Sequence, residues 1–400
     1  MTIALAPSLA RAADAQVPPD SQPSLEIYGF VEADAITDLN QNNPNWYDVN
    51  RPSQLPVFPD EFGENGHFSI SPRQSRFGVH GLLPTAAGDV TATFEFDMLG
   101  VGQDAGLTAI RLRHAWGQWK RVGAGLTYSA FMDPDVYPKR FEAWGPNGMQ
   151  TSRNAQVFWQ PYVEHGSNVT IAAEIPGAAL DGGKFADRVE FHPVASRFPM
   201  PDITGHYRQE GPWGHVQVSG VLRYIGWDDL IPHDPLNFSG HVWGWGFSIS
   251  SNAKPDPDDL FRLEVVYGDG IENYINDAPI DVGIRIQPSN EAVPLAGVAL
   301  PVFSMVAYLD HNWSDTWFTS AGYSRVDVTN SNGQTPDAFR IGQYVTANLV
   351  YTPMKYLLIG GELQWARRQN FSDGFSVNDF RLVFSVRCNF SIQLDPGAAP

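Results

Sequence analysis

The stretch that decides the fold is Ala109-Ile110-Arg111-Leu112-Arg113-His114-Ala115-Trp116-Gly117-Gln118-Trp119, then Lys120-Arg121, then Val122-Gly123-Ala124-Gly125-Leu126-Thr127-Tyr128-Ser129-Ala130-Phe131. Each arm alternates with period two, the pattern of a strand whose two faces meet different surroundings. In the first arm Ile110, Leu112, His114 and Trp116 fall on one side, Arg111 and Arg113 on the other. In the second, Val122, Ala124, Leu126, Tyr128 and Ala130 oppose Arg121, Gly123, Gly125, Thr127 and Ser129. A very short turn joins the arms, and a polar loop rich in Pro and charge, Met132–Arg153, follows them. Two strands, a tight turn and a long loop make one repeat of a transmembrane β-barrel. The loop is expected to narrow the barrel's interior.

The same unit recurs along the chain. Alternation begins at Leu25–Ile36, and a loop rich in Asn and Pro covers Thr37–Gly66. Further strands are expected at Arg73–Pro84, Asp89–Met98, Asn154–Val163, Asn168–Ile175, Pro201–Arg208, Gly214–Tyr224, Gly240–Ser250 and Leu260–Tyr267. Two more flank Asn312-Trp313-Ser314-Asp315, and the last three cover Phe339–Tyr351, Leu357–Trp365 and Asp379–Phe390. The total is about sixteen, and the connections alternate short and long, as periplasmic turns and external loops do in outer-membrane barrels. A soluble sandwich or propeller has no reason to keep that parity.

Composition agrees. Charged residues are 18% and aromatics 12% of the 400 residues, with 12 Trp and 24 Phe. Alternate lipid-facing and water-facing positions average to such a mixture. No run approaches the length of a transmembrane helix, whereas a barrel strand needs only about 9–11 residues. A net charge of −18 argues against nucleic-acid binding, which needs a basic face. The single cysteine, Cys388, rules out an intramolecular disulfide and reads as an outward residue of the last strand. No Walker sequence, nucleophile elbow or zinc-protease motif occurs, and the histidines lack metal-ligand spacing, so no cofactor or metal is expected.

Charge on the lipid face costs about 2–4 kcal/mol for Arg or Lys at the midplane, so the charged phase must line the interior. That phase holds Arg76, Arg111, Arg113, Arg208, Arg223, Arg262, Arg340, Arg381 and Arg387, with acids such as Glu32, Asp34, Glu95, Asp97, Glu174, Glu264 and Glu362. Lys139 and Arg140 add basic groups on the long loop. Rings of charge set ion selectivity. The residues expected to line the pore and meet solute are Arg76, Arg111, Arg113, Lys139, Arg140, Arg223, Arg262 and Arg381. Interior Arg–acid pairs also brace barrel walls, so each arginine has a structural reading beside the functional one.

Three motifs carry a family resemblance: Gln74-Ser75-Arg76-Phe77-Gly78, Arg111-Leu112-Arg113-His114-Ala115-Trp116 and Gly125-Leu126-Thr127-Tyr128-Ser129-Ala130-Phe131-Met132-Asp133. In this order and spacing, with Tyr28–Ala35 as a first strand, the chain resembles the DcaP-like porins of Gram-negative outer membranes over most of Leu25–Phe390. The resemblance implies an all-β, antiparallel up-and-down transmembrane barrel of sixteen strands, assembled as a homotrimer, with the third external loop folded into the lumen. It implies passive uptake of small anionic solutes, dicarboxylates in particular, with Arg76, Arg111 and Arg113 on a basic wall. Outer-membrane lipid and lipopolysaccharide would surround it. Leu126 and Tyr128 depart from the pattern, which has Gln and Trp there, and the family's N-terminal coiled coil is missing.

Residues 1–15 read as the remnant of a secretory signal whose basic start lies upstream, 16–24 as an extended lead-in, 25–390 as the barrel and 391–400 as a disordered tail. Two rival readings are a lipase-like barrel enzyme, which needs a Ser–His pair, and a soluble β-rich binding protein, which needs internal repeats that do not occur.

Overall fold

A computed structural model describes residues 22–142, 144–188, 194–231, 237–289 and 294–394. The expected signal remnant, most of the lead-in and the end of the expected tail lie outside the described residues. Sixteen wall strands form one closed antiparallel sheet. They are β1 (Ser24–Asp38), β2 (His67–Ser71 with Arg76–Leu83), β3 (Val90–Leu99), β4 (Thr108–Trp119), β5 (Val122–Tyr128), β6 (Arg153–Glu164), β7 (Ser167–Glu174) and β8 (Val194–Arg197 with Asp202–Gly211). The rest are β9 (Gly214–Asp229), β10 (Gly240–Ala253), β11 (Asp259–Asp269), β12 (Pro301–Asn312), β13 (Trp317–Val328), β14 (Phe339–Met354), β15 (Leu357–Asn370) and β16 (Ser376–Leu394). Each pairs with its chain neighbours, and β16 returns to β1 from Leu25↔Leu394 to Asp38↔Arg381, so no edge is left open. A separate hairpin, Val282–Ile286 with Leu295–Ala299, lies in the connection between β11 and β12.

Two wall strands are interrupted, and proline explains both breaks. The two pieces of β2 pair with the two ends of β1, and Pro72, which has no N–H to give to a ladder, stands between them. In β8 the break holds Pro199 and Pro201, while its flanking pieces pair with successive parts of β9. The short turns follow hairpin chemistry. His165 (φ 54°) and Gly166 (φ 74°) both take the left-handed conformation that a type I′ turn demands.

Along most strands buried polar residues alternate with exposed apolar ones. In β9 Gln217, Ser219 and Arg223 are buried while Val216, Val218 and Leu222 are exposed. In β16 Asp379, Arg381 and Ser385 are buried while Phe380, Leu382 and Phe384 are exposed. Exposed aromatics gather where the short turns lie, at Trp119, Trp213, Trp313, Trp317 and Tyr356, the position of an interfacial girdle. Cys388 is exposed opposite Val31.

The hairpin that opens the reading departs from strict alternation. Glu95 pairs with His114 but its neighbour Phe96 pairs with Leu112, so Arg113 is an extra residue, a β-bulge. The bulge reverses the phase of the rest of β4. His114 and Trp116, expected to face lipid, are buried, and Trp116 packs against Phe158 at 5.9 Å. Tyr128, also expected outward, packs against Met132, Val136, Met149, Val306 and Tyr308. Gly125 precedes it at φ 125°, and a Cβ there would lie 2.2 Å from the Ala115 carbonyl oxygen.

Three smaller expectations are corrected. Arg340 is the extra residue of a register shift between Phe339 and Ile341 and is exposed, not interior. β14 runs through Pro353 to Met354 by another register shift, so the turn falls at Lys355-Tyr356. β16 continues past Phe390 to Leu394, because Ser391 and Ile392 pair with Tyr28 and Ile27.

Candidate functional site

The bulge at Arg113 builds the densest basic cluster. Both Arg111 and Arg113 now face the carboxylates of β3. Arg111 grips Asp97 with two hydrogen bonds, Nε at 2.9 Å and Nη2 at 2.6 Å. Arg113 donates to Glu95 at 2.7 Å and to Asp97 at 3.0 Å. The Tyr28 hydroxyl donates to the other Glu95 oxygen at 3.0 Å. Arg76 stands 3.6 Å from Glu95 and 5.2 Å from the Phe30 ring centre, and its Nε hydrogen-bonds to nothing in the structure. Side-chain exposure separates these residues: 20% for Arg76, 14% for Arg111, 6% for Arg113. Only the first two meet water appreciably. Paired, hydrogen-bonded charges of this kind hold one geometry.

Arg153, which sequence reasoning left at a loop boundary, belongs to the same cluster. It faces Tyr128 across β5 and β6 and sits 5.9 Å from that ring's centre. Its electrostatic neighbours include Arg111, Arg113 and Asp97. It is half-buried and makes no ion pair or hydrogen bond among the described residues. Its place at the end of a Pro- and Gly-rich loop carries no periodicity; only its pairing with Tyr128 reveals it.

The segment between Tyr128 and Arg153 is tied to the wall at both ends. Asp133 accepts from Arg208 at 3.0 Å, His215 at 2.7 Å and Ser250 at 2.6 Å, which are residues of β8, β9 and β10. Asp135 accepts from Arg208 at 2.5 Å, and its carbonyl accepts from Asn252 at 2.7 Å and from Arg262 of β11. Farther on, Arg140 donates to the Tyr344 hydroxyl at 2.8 Å, and that hydroxyl donates to Glu142 at 2.5 Å. The Phe141 N–H donates to Glu362 at 3.2 Å, and Arg387 donates to the Phe141 carbonyl at 3.1 Å. Gly148 donates to Ser324 and Gln150 to Glu264, both at 2.7 Å. Residues 147–151 also exchange backbone bonds with Tyr274, Asn276 and Asp277 of the connection after β11.

Burial and charge set the titration of these loop groups. Burial opposes ionisation of Asp133, but His215, Arg208 and Ser250 outweigh it and hold the carboxyl below the usual range. Burial pushes Glu142 up, against Arg140 and Tyr344. Glu272, buried with neither oxygen hydrogen-bonded, is pushed well above the usual range by burial and then by Asp281. Burial lowers the Lys139 ammonium; Asp310 opposes that, while Arg262 and Lys254 add to it.

The other sequence-predicted residues separate by partner. Lys139 is half-buried, lies 5.1 Å from the Phe318 ring centre and makes no ion pair among the described residues. The Arg140 side chain has no exposure. Arg223 is equally enclosed, with Asp202 and Asp281 each at 2.8 Å. Arg262 pairs with Asp310 at 2.8 Å. Arg381 pairs with Asp38 at 2.6 Å, and both its Nη atoms are buried without a hydrogen bond. Arg73, missed in the sequence, is fully buried against Asp48 at 2.9 Å and pins the loop after β1.

Ser250 and His215 both bond the same Asp133 oxygen, so these three residues do not form the serine-to-histidine relay of a hydrolase. Among the described residues no cluster of three or more His, Cys, Asp or Glu is placed to hold a metal ion.

Comparison with known proteins fits this architecture. The structure is similar to the outer membrane channel DcaP of Acinetobacter baumannii, with a TM-score of 0.75 and 16% identity, covering 93% of this chain and 98% of that one. It is also similar to an anion-selective porin from Comamonas acidovorans (TM-score 0.59, 9% identity, 92% and 100% covered). The trimer form of OmpT from Vibrio cholerae gives 0.55 at 11% identity, with 92% and 100% covered. No curated protein sequence matches the chain. The sequence profile of the DcaP outer membrane protein family matches residues 3–230, more than half of the chain. With the closed sixteen-stranded barrel and its apolar outer face, this match makes the protein a member of the DcaP outer membrane protein family, a β-barrel of the bacterial outer membrane.

Proposed function

We propose that the protein is a passive, non-catalytic porin for small hydrophilic and preferentially anionic solutes, dicarboxylates among them, and that it works as a homotrimer embedded in outer-membrane lipid and lipopolysaccharide. The observation that carries this reading is the tethering of residues 129–152 to β8–β11 by Asp133 and Asp135 and to β13–β16 by Gly148, Arg140, Phe141 and Glu142. A connection bound to such widely separated parts of a closed wall folds into the lumen and narrows it. Arg76, Arg111 and Lys139 supply positive charge that water can reach, whereas Arg140, Arg223 and Arg381 are enclosed braces. Arg113 and Arg262 orient the wall carboxylates and the loop. Carboxylates would bind guanidinium groups by charge-assisted hydrogen bonds and leave again through water. The Vibrio trimer and the Comamonas anion-selective porin support the assembly and the selectivity by likeness of fold.

The test is the reversal potential of single channels in a KCl gradient. Anion preference is the expected result, and cation preference, which the net charge of −18 would favour, overturns it. The double variant Arg111→Ala/Arg113→Ala removes two of the three arginines paired with Asp97 and Glu95, leaving Arg76 beside Glu95, so its potential should move toward the cation side. An unmoved potential removes those two residues from selectivity.

A further inference from the structure

On β13–β16 the outward face changes character toward the external ends of the strands. One outward row of the ladder runs Tyr323↔Val345, Val345↔Trp365 and Trp365↔Phe380. Two residues farther toward the external ends, the next runs Arg325↔Gln343, Gln343↔Arg367 and Arg367↔Asn378. Both rows face outward, because the residues that alternate with them, Ser324, Tyr344, Ala366 and Asp379, are buried. An aromatic row thus lies directly beneath a polar and cationic one. Arg367 stands ten residues past Leu357, where β15 leaves its short turn. At a rise of about 3.3 Å per residue and a tilt of about 40°, that climb is about 25 Å, the height of the apolar band. The cationic row therefore emerges at the headgroups of the outer leaflet, with the aromatic girdle below it.

The partners of this row leave one positive charge over. Arg325 donates to Asp327 at 2.7 Å, and both side chains are about one-third exposed, 33% and 34%. Arg367 has no carboxylate among the described residues. It reaches the Ser376 hydroxyl at 3.4 Å, and its buried Nε hydrogen-bonds to nothing in the structure. Gln343 accepts from the Tyr323 hydroxyl at 3.0 Å, which leaves its amide NH2 to donate. Arg325 and Arg367 stand two strand spacings apart, about 10 Å, with Gln343 between them. Such a line of donors around a surplus guanidinium matches phosphate oxygens, which it would bind by charge-assisted hydrogen bonds. We propose that Arg325, Gln343 and Arg367 form a site on the outer wall for the phosphate groups of lipopolysaccharide, with Arg367 as the cation that the protein leaves unpaired. The occupant follows from place: this face continues the lipid-covered wall, and phosphate meets it there as a headgroup. The site rests on the lipopolysaccharide surroundings proposed above and adds to them a point of contact; it does not depend on what crosses the lumen.

The test titrates the intact protein, in an uncharged detergent, with rough-type lipopolysaccharide and with the same material after its phosphates are removed. Wild type should bind the phosphorylated form far more tightly. Arg367→Gln should raise the half-saturating concentration about tenfold, and Arg367→Lys at most about threefold. Arg325→Gln should raise it about threefold, since Asp327 already holds part of that charge. Arg197→Ala removes another exposed arginine, one with its own partner Asp228, and should leave binding unchanged. Wild-type conductance in planar bilayers establishes that each variant is folded. Binding unaffected in Arg367→Gln, or weakened as much in Arg197→Ala, overturns the site. So does equal affinity for the dephosphorylated form. Displacement of the lipid by inorganic phosphate at equal phosphate concentration would make this a free-phosphate site and overturn the occupant named here. The two readings fail separately. A wild type that binds no lipopolysaccharide sinks the proposed surroundings together with the site, whereas wild-type binding that ignores Arg367 sinks the site alone.

Discussion

Two ionic clusters flank the start of the 129–152 segment, and their stoichiometry is opposite. At its root three arginines, Arg76, Arg111 and Arg113, share the carboxylates of Glu95 and Asp97. A few residues on, the single Arg208 serves three acids, Asp133, Asp135 and Glu210. The acid-rich cluster is saturated by further donors: His215, Ser250 and the Asp135 N–H complete the shell of Asp133. The arginine-rich cluster has no such filler, because a guanidinium needs acceptors and the wall supplies too few. The chemistry of the pairs is the same. The leftover capacity differs, and the saturated cluster is the one that fastens the loop.

The sharpest way to break this contrast is to empty the centre of the acid-rich latch. Asp133→Ala leaves buried Arg208 and His215 without their shared acceptor, and losing one partner of a buried pair costs about 3–5 kcal/mol. The expected outcome is a clearly lower Tm together with noisier single-channel current as the loop works free. Asp133→Asn should fall between. A wild-type Tm for the alanine variant would mean that the latch holds nothing.

A second measurement follows pH. Glu272 is protonated in the fold at pH values where it is ionised in the unfolded chain. Stability from this group is therefore complete below the ordinary glutamate range and declines as pH rises toward its raised folded value. Glu272→Gln should flatten that alkaline decline in a series of unfolding curves. Parallel curves for the two proteins would reject the assignment.

Smaller effects sharpen the basic side. Lys139 has its ammonium destabilised by burial, so it loses charge at lower pH than an ordinary lysine. Anion preference should weaken as pH climbs toward that range and should hold steady in Lys139→Arg; identical pH profiles would exclude Lys139. The exposed pair Arg197–Asp228 sets the floor of the scale. Its water-screened bond at 2.8 Å should matter to neither stability nor selectivity, so Arg197→Ala should behave as wild type in both assays.

Much of the fold was legible because it is repetitive. Period-two alternation and the parity of connection lengths are statistical over the whole chain, so small errors at single strands do not disturb sixteen strands or their order. The turn at His165-Gly166 was legible for a local reason, since few residue pairs tolerate two positive φ values. The bulge at Arg113 was not legible: Arg111, Arg113 and His114 are all polar enough for either register, and only the partners Glu95 and Leu112 reveal the slip. The latch escaped for a different reason. Asp133 finds Arg208 and His215 across long stretches of chain, and no local pattern encodes such a meeting. Of the eight basic residues expected to meet solute, all lie in ionic or cation–π contacts, yet the sequence had no means of ranking them. Exposure does that: Arg76 and Arg111 keep a wet edge, while Arg223 and Arg381 are sealed.

The bulge carries a consequence beyond this chain. One additional residue at Arg113 re-addresses everything from His114 to Trp119, much as a single inserted letter changes every word that follows it. A relative lacking that residue would present the same short sequence with its Trp and His turned into the bilayer. Two family members can thus agree letter for letter from His114 to Trp119 and differ in which of those side chains face the interior. At 16% identity, transferring a lining residue from one to another by alignment alone is unsafe unless the ladder on both sides of position 113 is known.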